Sequence, residues 1–272
     1  RLMKAGGHKY SHGHALITGG GVGQGGAARL AARTALRIGA GLVTLMVPPA
    51  ALQENAARLD AVMLRRGGDG AALRGLLEDP RFNALCLGPG LGIERAAELV
   101  PVALSARRAT LLDADALSAF ADDPRALFAA LHPGCVLTPH DGEFRRLFPD
   151  LVARSAARDG PIVSRLDMVR AAAERAGCVV LLKGRDTVVA APDGQAGIHC
   201  AAYDRAAPWL ATAGSGDVLA GLITGLMARG FSPYDAACTS AWLHVEAARQ
   251  FGPGLIAEDI PEQIPAVLRS LA

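Results

Sequence analysis

A short glycine-containing motif places an aspartate at the start of an apolar helical segment late in the chain. The motif is Gly214-Ser215-Gly216-Asp217, and a strongly apolar run follows it directly. Backbone N–H groups at a helix start bind anions, and the glycines would let a phosphate approach them closely. Asp217 is then placed to accept a proton from a substrate hydroxyl. The alternative is an acid that only complements the helix dipole.

A lysine and a glycine end another apolar run, at residues 178–182. The segment that follows is Lys183-Gly184-Arg185-Asp186-Thr187. An ammonium group and a glycine at a strand end suit contact with a phosphate or a ribose. The alternative is an ordinary turn that leads from a strand into a hairpin.

A histidine with two nearby acids follows a third apolar run. The segment Thr138-Pro139-His140-Asp141-Gly142-Glu143-Phe144 would project the imidazole at the edge of a sheet, because the proline restricts the backbone. Asp141 and Glu143 could orient a ligand or bind Mg2+ through water. The alternative is that the strand simply ends here and Asp141 caps a helix.

A glycine cluster at residues 21–26 has the spacing G-x-G-x-x-G between a predicted strand and a predicted helix. That spacing is the dinucleotide fingerprint, but the acid expected about 20 residues later is absent. The first acid in the chain is Glu54. A standard NAD site is therefore disfavoured, although the loop still suits close approach to a pyrophosphate.

Two weaker motifs stay open. Asp113-Ala114-Asp115 follows a strand and could serve a metal or phosphate site, or Asp115 could be a helix N-cap. His12 and His14 are spaced like a metal pair, but no further ligand stands nearby, which disfavours a metal.

The elements that must position these residues alternate along the chain. Strands are predicted at residues 14–18, 41–47, 83–87, 109–112, 135–138 and 178–182, and a hairpin at 187–191 and 197–200. Helices are predicted at residues 27–38, 218–227 and 233–250, and segment 150–165 is the best candidate for a mobile or inserted loop. This alternation predicts one α/β domain over residues 1–272, with a mostly parallel sheet between two helical layers. Ligands bind beyond the carboxyl ends of such strands, so the motifs should converge on one cleft.

Composition excludes several classes of protein. The 272 residues carry a formal charge of only +2, which disfavours a nucleic-acid binder. No apolar run approaches the roughly 18 residues of a membrane span. Five cysteines without C-x-x-C spacing indicate reduced thiols and a cytoplasmic location.

Nine motifs, in order along almost the whole chain, resemble those of the ADP/ATP-dependent NAD(P)H-hydrate dehydratases. They are His8-Lys9-Tyr10, Gly13-His14-Ala15-Leu16, Gly25-Gly26-Ala27-Ala28, Gly39-Ala40-Gly41-Leu42-Val43-Thr44, Gly88-Pro89-Gly90-Leu91-Gly92, Leu112-Asp113-Ala114-Asp115-Ala116-Leu117, Thr138-Pro139-His140, Lys183-Gly184 and Gly214-Ser215-Gly216-Asp217. The last motif alone is shared with the wider ribokinase-like superfamily, whereas the first two and Gly-Pro-Gly-Leu-Gly are more specific. Many relatives have Thr where Ser215 stands, and both residues offer a hydroxyl.

The resemblance implies a ribokinase-like fold and a role in metabolite repair. NADHX and NADPHX, the C6-hydrated cofactors (S epimer), would be dehydrated to NADH and NADPH by phosphorylation of the C6 hydroxyl and loss of phosphate. Mg2+ would bridge the phosphates of the donor, and the Ala-, Arg- and Gly-rich composition, typical of GC-rich bacteria, favours ADP over ATP.

The resemblance also assigns site residues. Asp217 would be the catalytic acid–base group, and Gly214, Ser215 and Gly216 would form the anion hole. The nucleotide would contact Lys183, Gly184, Arg185, Asp186, Thr187 and Gly216. The hydrated dinucleotide would contact Ala27, Gly90, His140, Asp141, Gly142, Glu143, Phe144, Arg145, Arg146 and Asp217.

The resemblance further implies a symmetric homo-oligomer such as a tetramer, and an epimerase domain fused upstream of Arg1. Two competing functions remain. One is a ribokinase-fold kinase of a small vitamin-precursor alcohol, although the long glycine-rich N-terminal segment suits a dinucleotide better. The other is a non-catalytic nucleotide sensor, which would be expected to lack Asp217.

Overall fold

The computed structural model describes residues 2–4, 6–156 and 163–272. Within them, one sheet of nine strands has the order β3-β2-β1-β4-β5-β6-β7-β8-β9. The strands are β1 (His14–Thr18), β2 (Leu42–Val47), β3 (Met63–Arg66), β4 (Phe82–Leu87), β5 (Ala109–Leu112), β6 (Cys135–Leu137), β7 (Val179–Leu182), β8 (Asp186–Ala190) and β9 (Ala196–Cys200). Neighbours from β3 through β7 pair in parallel, whereas β8 and β9 are antiparallel. The predicted mostly parallel sheet is confirmed.

Twelve α-helices connect or follow these strands in the described residues. They are α1 (Gly26–Arg37), α2 (Leu52–Ala56), α3 (Gly70–Leu77), α4 (Ile93–Ser105), α5 (Asp115–Ser118), α6 (Pro124–Ala130), α7 (Asp141–Leu147), α8 (Pro149–Ala156), α9 (Arg165–Ala176), α10 (Ser215–Ala228), α11 (Pro233–Phe251) and α12 (Asp259–Ser270). None of these described helices is both long and apolar enough to cross a bilayer.

The core lies on both faces of the sheet because successive strand side chains point to opposite sides. In β1, Ala15 and Ile17 pack under α1, α10, α11 and α12, while Leu16 packs in the second layer with α3, α4 and α9. All five residues of β1 are buried, as expected for a strand covered on both faces.

Two glycines let α10 lie against α1 at close range. A Cβ on Gly221 would lie 2.3 Å from Ala31 O, and one on Gly225 would lie 2.4 Å from the Ile38 Cγ2 atom. Side chains at these positions would therefore force the helices apart. The close approach fixes the start of α10, and with it Asp217, above the carboxyl end of the central strands.

The structure corrects two sequence-based expectations. Strand β3 was not predicted, because Arg65 and Arg66 are exposed on an edge strand and interrupt the apolar pattern. The predicted loop at 150–165 is wrong for residues 150–156, which belong to α8, whereas residues 163 and 164 lie outside any helix or strand before α9 begins at Arg165. Residues 157–162 of that prediction lie outside the described residues.

Candidate active site

The start of α10 presents a half-buried carboxylate. Gly214 is the N-cap residue with φ +88°, a left-handed conformation that glycine adopts without strain. Asp217 lies in the first turn, where the helix N-terminus favours negative charge. Burial, together with the nearby carboxylates of Asp113 and Asp115, nevertheless raises the pKa of Asp217 to about 6, and the Lys183 ammonium opposes that rise. Such a group is ionised at neutral pH but remains basic enough to take a proton.

A lysine–aspartate pair lies beside this carboxylate. Lys183 Nζ is 2.6 Å from Asp113 Oδ1, and only 1% of the Asp113 side chain is exposed. Burial disfavours the charge on Lys183, but Asp113 and Glu143 more than compensate, so the pKa of Lys183 lies above its usual value. The ammonium lies 3.5 Å from the position that a Cβ on Gly216 would occupy. A phosphate held by the start of α10 would therefore meet a fixed positive charge.

A cavity of about 780 Å³ opens between this pair and α11. Its lining includes Lys183, Gly184, Arg185, Thr187, Ser215 and Gly216, together with apolar residues such as Leu219 and Val245. An apolar wall with a few polar groups at one end suits a nucleotide, whose base is apolar and whose phosphates are charged. Asp186, the remaining predicted nucleotide contact, bonds to the Cys200 thiol instead of lining this cavity.

Ser215, which lines the same cavity, has a buried hydrogen-bond partner. Ser215 Oγ lies 3.2 Å from His244 Nε2 of α11. Burial lowers the pKa of His244 to about 4, so the imidazole is neutral at cellular pH. Sequence reasoning missed His244, because a histidine in the middle of an amphipathic helix carries no motif.

His140 caps α7 and also lines the cavity. Its Nδ1 accepts hydrogen bonds from the backbone N–H groups of Gly142 at 2.9 Å and Glu143 at 3.3 Å. The Glu143 carboxylate in turn accepts the backbone N–H of His140 at 2.8 Å. His140 itself is therefore the cap, and Asp141 is the first residue of the helix.

The other predicted substrate residues of α7 lie in three different surroundings: beside the lysine segment, in the core, and on the surface. Asp141 Oδ1 pairs with Arg165 Nη1 at 2.6 Å, and Arg165 Nη2 donates to Lys183 O at 2.9 Å. This bridge ties α7 to the lysine segment. Phe144 is buried against Phe148 in the core. Arg145 and Arg146 lie exposed in the last turn of α7.

Two glycine loops, after β1 and β4, meet near Asp115, which accepts the N–H of Gly92. A Cβ on Gly20, after β1, would lie 2.0 Å from Gly90 O, in the loop after β4. Gly90 has φ +61°, and a Cβ there would lie 3.3 Å from the Ala27 Cβ. The predicted substrate residues Ala27 and Gly90 are thus neighbours. Arg95 joins these loops, because its Nη1 donates to Gly19 O at 2.7 Å and to Leu91 O at 3.4 Å.

The N-cap alternative for Asp115 is wrong, because Asp115 is the first residue of α5, whereas a metal or phosphate role of this motif stays a prediction. Asp113 pairs with Lys183, and Asp115 Oδ2 accepts the N–H of Gly92 at 2.8 Å, which joins α5 to the loop after β4. The N-cap of α5 is Ala114, at a positive φ of 47° that is strained for alanine. His14, from the weaker motif, is buried at the far end of β1, where Nε2 bonds to Thr44 Oγ1 at 2.8 Å.

The sheet order, the glycine N-cap of α10 and the cavity beyond the strand ends are those of a ribokinase-like protein. A ribokinase-like superfamily protein from Enterococcus faecalis superposes with a TM-score of 0.80 at 22% identity, covering 99% of this chain and 91% of the other. The ADP/ATP-dependent NAD(P)H-hydrate dehydratase from Bacillus subtilis, co-crystallised with ATP/Mg2+, gives a TM-score of 0.78 at 25% identity, covering 99% of this chain and 94% of that one.

Residues 15–265 match the family described as NAD(P)H-hydrate dehydratase. The ADP-dependent (S)-NAD(P)H-hydrate dehydratase of Xanthomonas campestris is 36% identical, with 99% of this chain and 93% of that protein covered. The bifunctional NAD(P)H-hydrate repair enzyme Nnr of Moorella thermoacetica is 39% identical over 98% of this chain and 51% of its own length. The chain belongs to the NAD(P)H-hydrate dehydratase family, which confirms the resemblance found from the motifs. It spans about half the length of the bifunctional relatives it matches.

Proposed function

We propose that this chain dehydrates the S epimers of NADHX and NADPHX to NADH and NADPH, with ADP or ATP as phosphoryl donor. The observation that carries the proposal is the position of Asp217. Its half-buried carboxylate, with a pKa raised to about 6, follows Ser215 and Gly216 of the cavity lining and lies near Asp115, which bonds to the glycine loop after β4. Ligands in the cavity and at this loop would place a hydroxyl and a phosphate at one carboxylate.

In the first step, Asp217 accepts the proton of the C6 hydroxyl. The oxygen forms a bond to the terminal phosphorus of the nucleotide, and the bond from that phosphorus to the leaving nucleotide oxygen breaks. Backbone N–H groups from Gly214 to Gly216 stabilise the charge on the transferring group, and the Lys183 ammonium adds a fixed positive charge.

In the second step, the C6–O bond breaks and inorganic phosphate leaves with the original hydroxyl oxygen. A proton is lost from C5, so the C5=C6 double bond of the dihydronicotinamide is restored. The sum converts hydrate and nucleotide into reduced cofactor, shortened nucleotide and phosphate. The chain has to supply mainly positioning and electrostatics for this chemistry.

Mg2+ fits this scheme as a companion of the nucleotide. Mg2+ is usually bound through the phosphates and only one or two carboxylates, and it keeps several waters. Among the described residues, no cluster of three or more His, Cys, Asp or Glu side chains could hold such an ion alone. When bound, the ion would neutralise phosphate charge.

Two kinds of observation support the donor and the substrate. The name of the Xanthomonas relative includes both ADP dependence and the (S)-hydrate, and the relative is covered along 93% of its length. The cavity beside Lys183 is of nucleotide size, and the glycine loops after β1 and β4 lie outside its lining. We extend the proposal to a single domain and a symmetric homo-oligomer, which sedimentation would test.

The test mixes purified protein with NADHX and Mg2+, adds ADP or ATP in parallel, and follows the absorbance of the reduced nicotinamide. We expect a nucleotide-dependent rise, faster with ADP. Asp217→Asn should lower kcat by about 10²- to 10⁴-fold, the usual contribution of a general base. Calorimetry should show that this variant still binds the nucleotide, since the cavity is unchanged.

A flat trace from a wild-type protein that binds the nucleotide would contradict the proposal. Phosphorylation of a small vitamin-precursor alcohol would then be the activity to screen, because the Gly-Ser-Gly-Asp helix start serves both reactions. Equal activity of the wild type and Asp217→Asn would contradict the role of Asp217 alone.

A further inference from the structure

Asp113 lies directly behind the groups that we assign to the reaction. Its Oδ1 accepts the Lys183 ammonium at 2.6 Å. Its Oδ2 is buried, has no hydrogen-bond partner within the described part of the chain, and lies 3.9 Å from the Cβ position of Gly216. Burying an ionised oxygen without a hydrogen bond costs free energy unless nearby charges stabilise it.

The backbone holds this carboxylate in place. Asp113 N donates to Leu87 O at 3.1 Å, and Asp113 O accepts the Ala116 N–H at 3.0 Å. A Cβ on Gly88 would lie 1.7 Å from Asp113 O, so the loop after β4 leaves no room for Asp113 to move. The side chain therefore presents a fixed negative charge.

The charged and titratable groups that act on Asp217 come from four elements. They are Asp113 after β5, Asp115 in α5, Lys183 after β7 and Cys86 in β4. Burial raises the pKa of the Cys86 thiol far above its usual range, so that group is neutral. The α1 side is apolar, with Leu30 Cδ1 lying 2.7 Å from the Cβ position of Gly214. Asp217 therefore faces two carboxylates and a single ammonium among the described residues.

We propose that Asp113 is a positioning residue that holds the Lys183 ammonium at the phosphate side of α10 and keeps it from pairing with Asp217. The proposal rests on the assigned roles of Asp217 and Lys183. A lysine released from Asp113 would be drawn to the two other carboxylates that act on it, Glu143 and Asp217, and could then pair with Asp217. That pairing would stabilise the ionised base, make it weaker, and withdraw the ammonium from the nucleotide. Asp113 thus keeps two roles apart: Asp217 remains the proton acceptor, and Lys183 remains the phosphate contact.

The test uses the pH profile of kcat/KM and the KM for the nucleotide. In the wild type, the acid limb should lie near the pKa of Asp217, about 6. Asp113→Asn should move that limb to lower pH by about half a pH unit or more, because a carboxylate is lost and the ammonium turns to Asp217. Its nucleotide KM should rise by about tenfold, since a charge-assisted contact is weakened. Lys183→Met should move the limb in the opposite direction, to higher pH.

The double variant Asp113→Asn/Lys183→Met tests whether Asp113 acts by positioning Lys183 or by supporting the structure in general. It removes both buried charges, so it remains informative if Asp113→Asn alone does not fold. Its nucleotide KM should equal that of Lys183→Met, because Asp113 acts through Lys183. A KM equal to the product of the two single effects, or an unshifted acid limb in Asp113→Asn, would overturn the proposal.

A direct titration makes the result independent of turnover. NMR of aspartate-labelled protein would follow the Asp217 carboxyl carbon, which is assigned by its loss in Asp217→Asn. A lower midpoint in Asp113→Asn and a higher one in Lys183→Met support the positioning role even if the wild type fails to dehydrate NADHX. In that event the proposed function fails and the inference stands. Unchanged midpoints in an active enzyme would overturn the positioning role and leave the proposed function intact.

Discussion

Ser215 Oγ and His244 Nε2 lie 3.2 Å apart and join the first residue of α10 to the middle of α11. Both residues are buried, and the low pKa of His244, about 4, keeps the imidazole neutral. The bond therefore fixes the Ser215 hydroxyl without adding charge to the anion site.

We expect His244→Ala and Ser215→Ala each to raise the nucleotide KM several-fold, equivalent to about 1 kcal/mol for one buried hydrogen bond. The double variant should be no worse than the poorer single one, with a coupling energy of about 1 kcal/mol. Ser240→Ala is the matched control, because it removes a buried hydroxyl of α11 that has no partner among the described residues. Additive effects would show that the two side chains act separately.

Asp217 should cost the protein stability at neutral pH. Because the folded-state pKa of Asp217 is raised from 3.8 to about 6, the folded protein keeps this proton longer than the unfolded chain does. Stability therefore falls as pH rises from about 4 to about 6, and the loss is complete above that window. Asp217→Asn should be more stable than the wild type at pH 8, by up to about 3 kcal/mol, and equal to it below pH 4.

Urea denaturation at the two pH values measures this difference. Asp122→Asn serves as the control, since this aspartate is exposed. Its effect should be the same at both values. The measured quantity is the difference in unfolding free energy between Asp217→Asn and the wild type. A difference no larger at pH 8 than at pH 4 would contradict the desolvation argument.

Gly20→Ala should impair the dinucleotide side of the site selectively. The added methyl would lie 2.0 Å from Gly90 O, so the loops after β1 and β4 must separate. We expect the KM for NADHX to rise by roughly tenfold or more, because small displacements of positioning groups are costly. The nucleotide KM should stay unchanged. Gly26→Ala is the control, since nothing lies within 4 Å of its added Cβ, and steady-state kinetics of both variants checks the prediction.

Gly221→Ala should destabilise the fold by about 1–3 kcal/mol, because the methyl would lie 2.3 Å from Ala31 O in the α1–α10 contact. Gly75→Ala, in α3, meets nothing within 4 Å and should stabilise by about 0.5–1 kcal/mol, since alanine is the better helix former. Thermal unfolding of both variants measures the two effects. The same sign for the two substitutions would mean that helix propensity outweighs the contact.

Much of the fold follows from local patterns in the sequence. The apolar run of β1 and its glycine turn predict a buried parallel strand, and the Gly-Ser-Gly-Asp motif correctly predicts a helix start with Asp217 in its first turn. The edge strand β3 escaped prediction because one of its faces meets solvent and carries Arg65 and Arg66. Periodicity alone cannot distinguish such a strand from a loop.

The candidate site was predictable where a motif follows a strand and not where tertiary contacts decide. Lys183 and Asp113 are 70 positions apart in the sequence, and neither motif indicates that the two residues form an ion pair. Phe144 shows the opposite case. It lies in a segment assigned to substrate contact, but helical geometry turns it into the core beside Phe148. Contacts between distant strand ends arise only when the sheet assembles.

Because α10 is buried along almost its whole length, different parts of the candidate site should differ in how easily they open locally. Amide hydrogens of this helix from Val218 onward, packed between α1, α11 and the sheet, should exchange with solvent only when the whole protein unfolds. Those of β9, a partly exposed edge strand, should exchange through local opening. The edge strand that precedes the cavity-lining Ala201 can therefore open locally while Asp217 keeps its position.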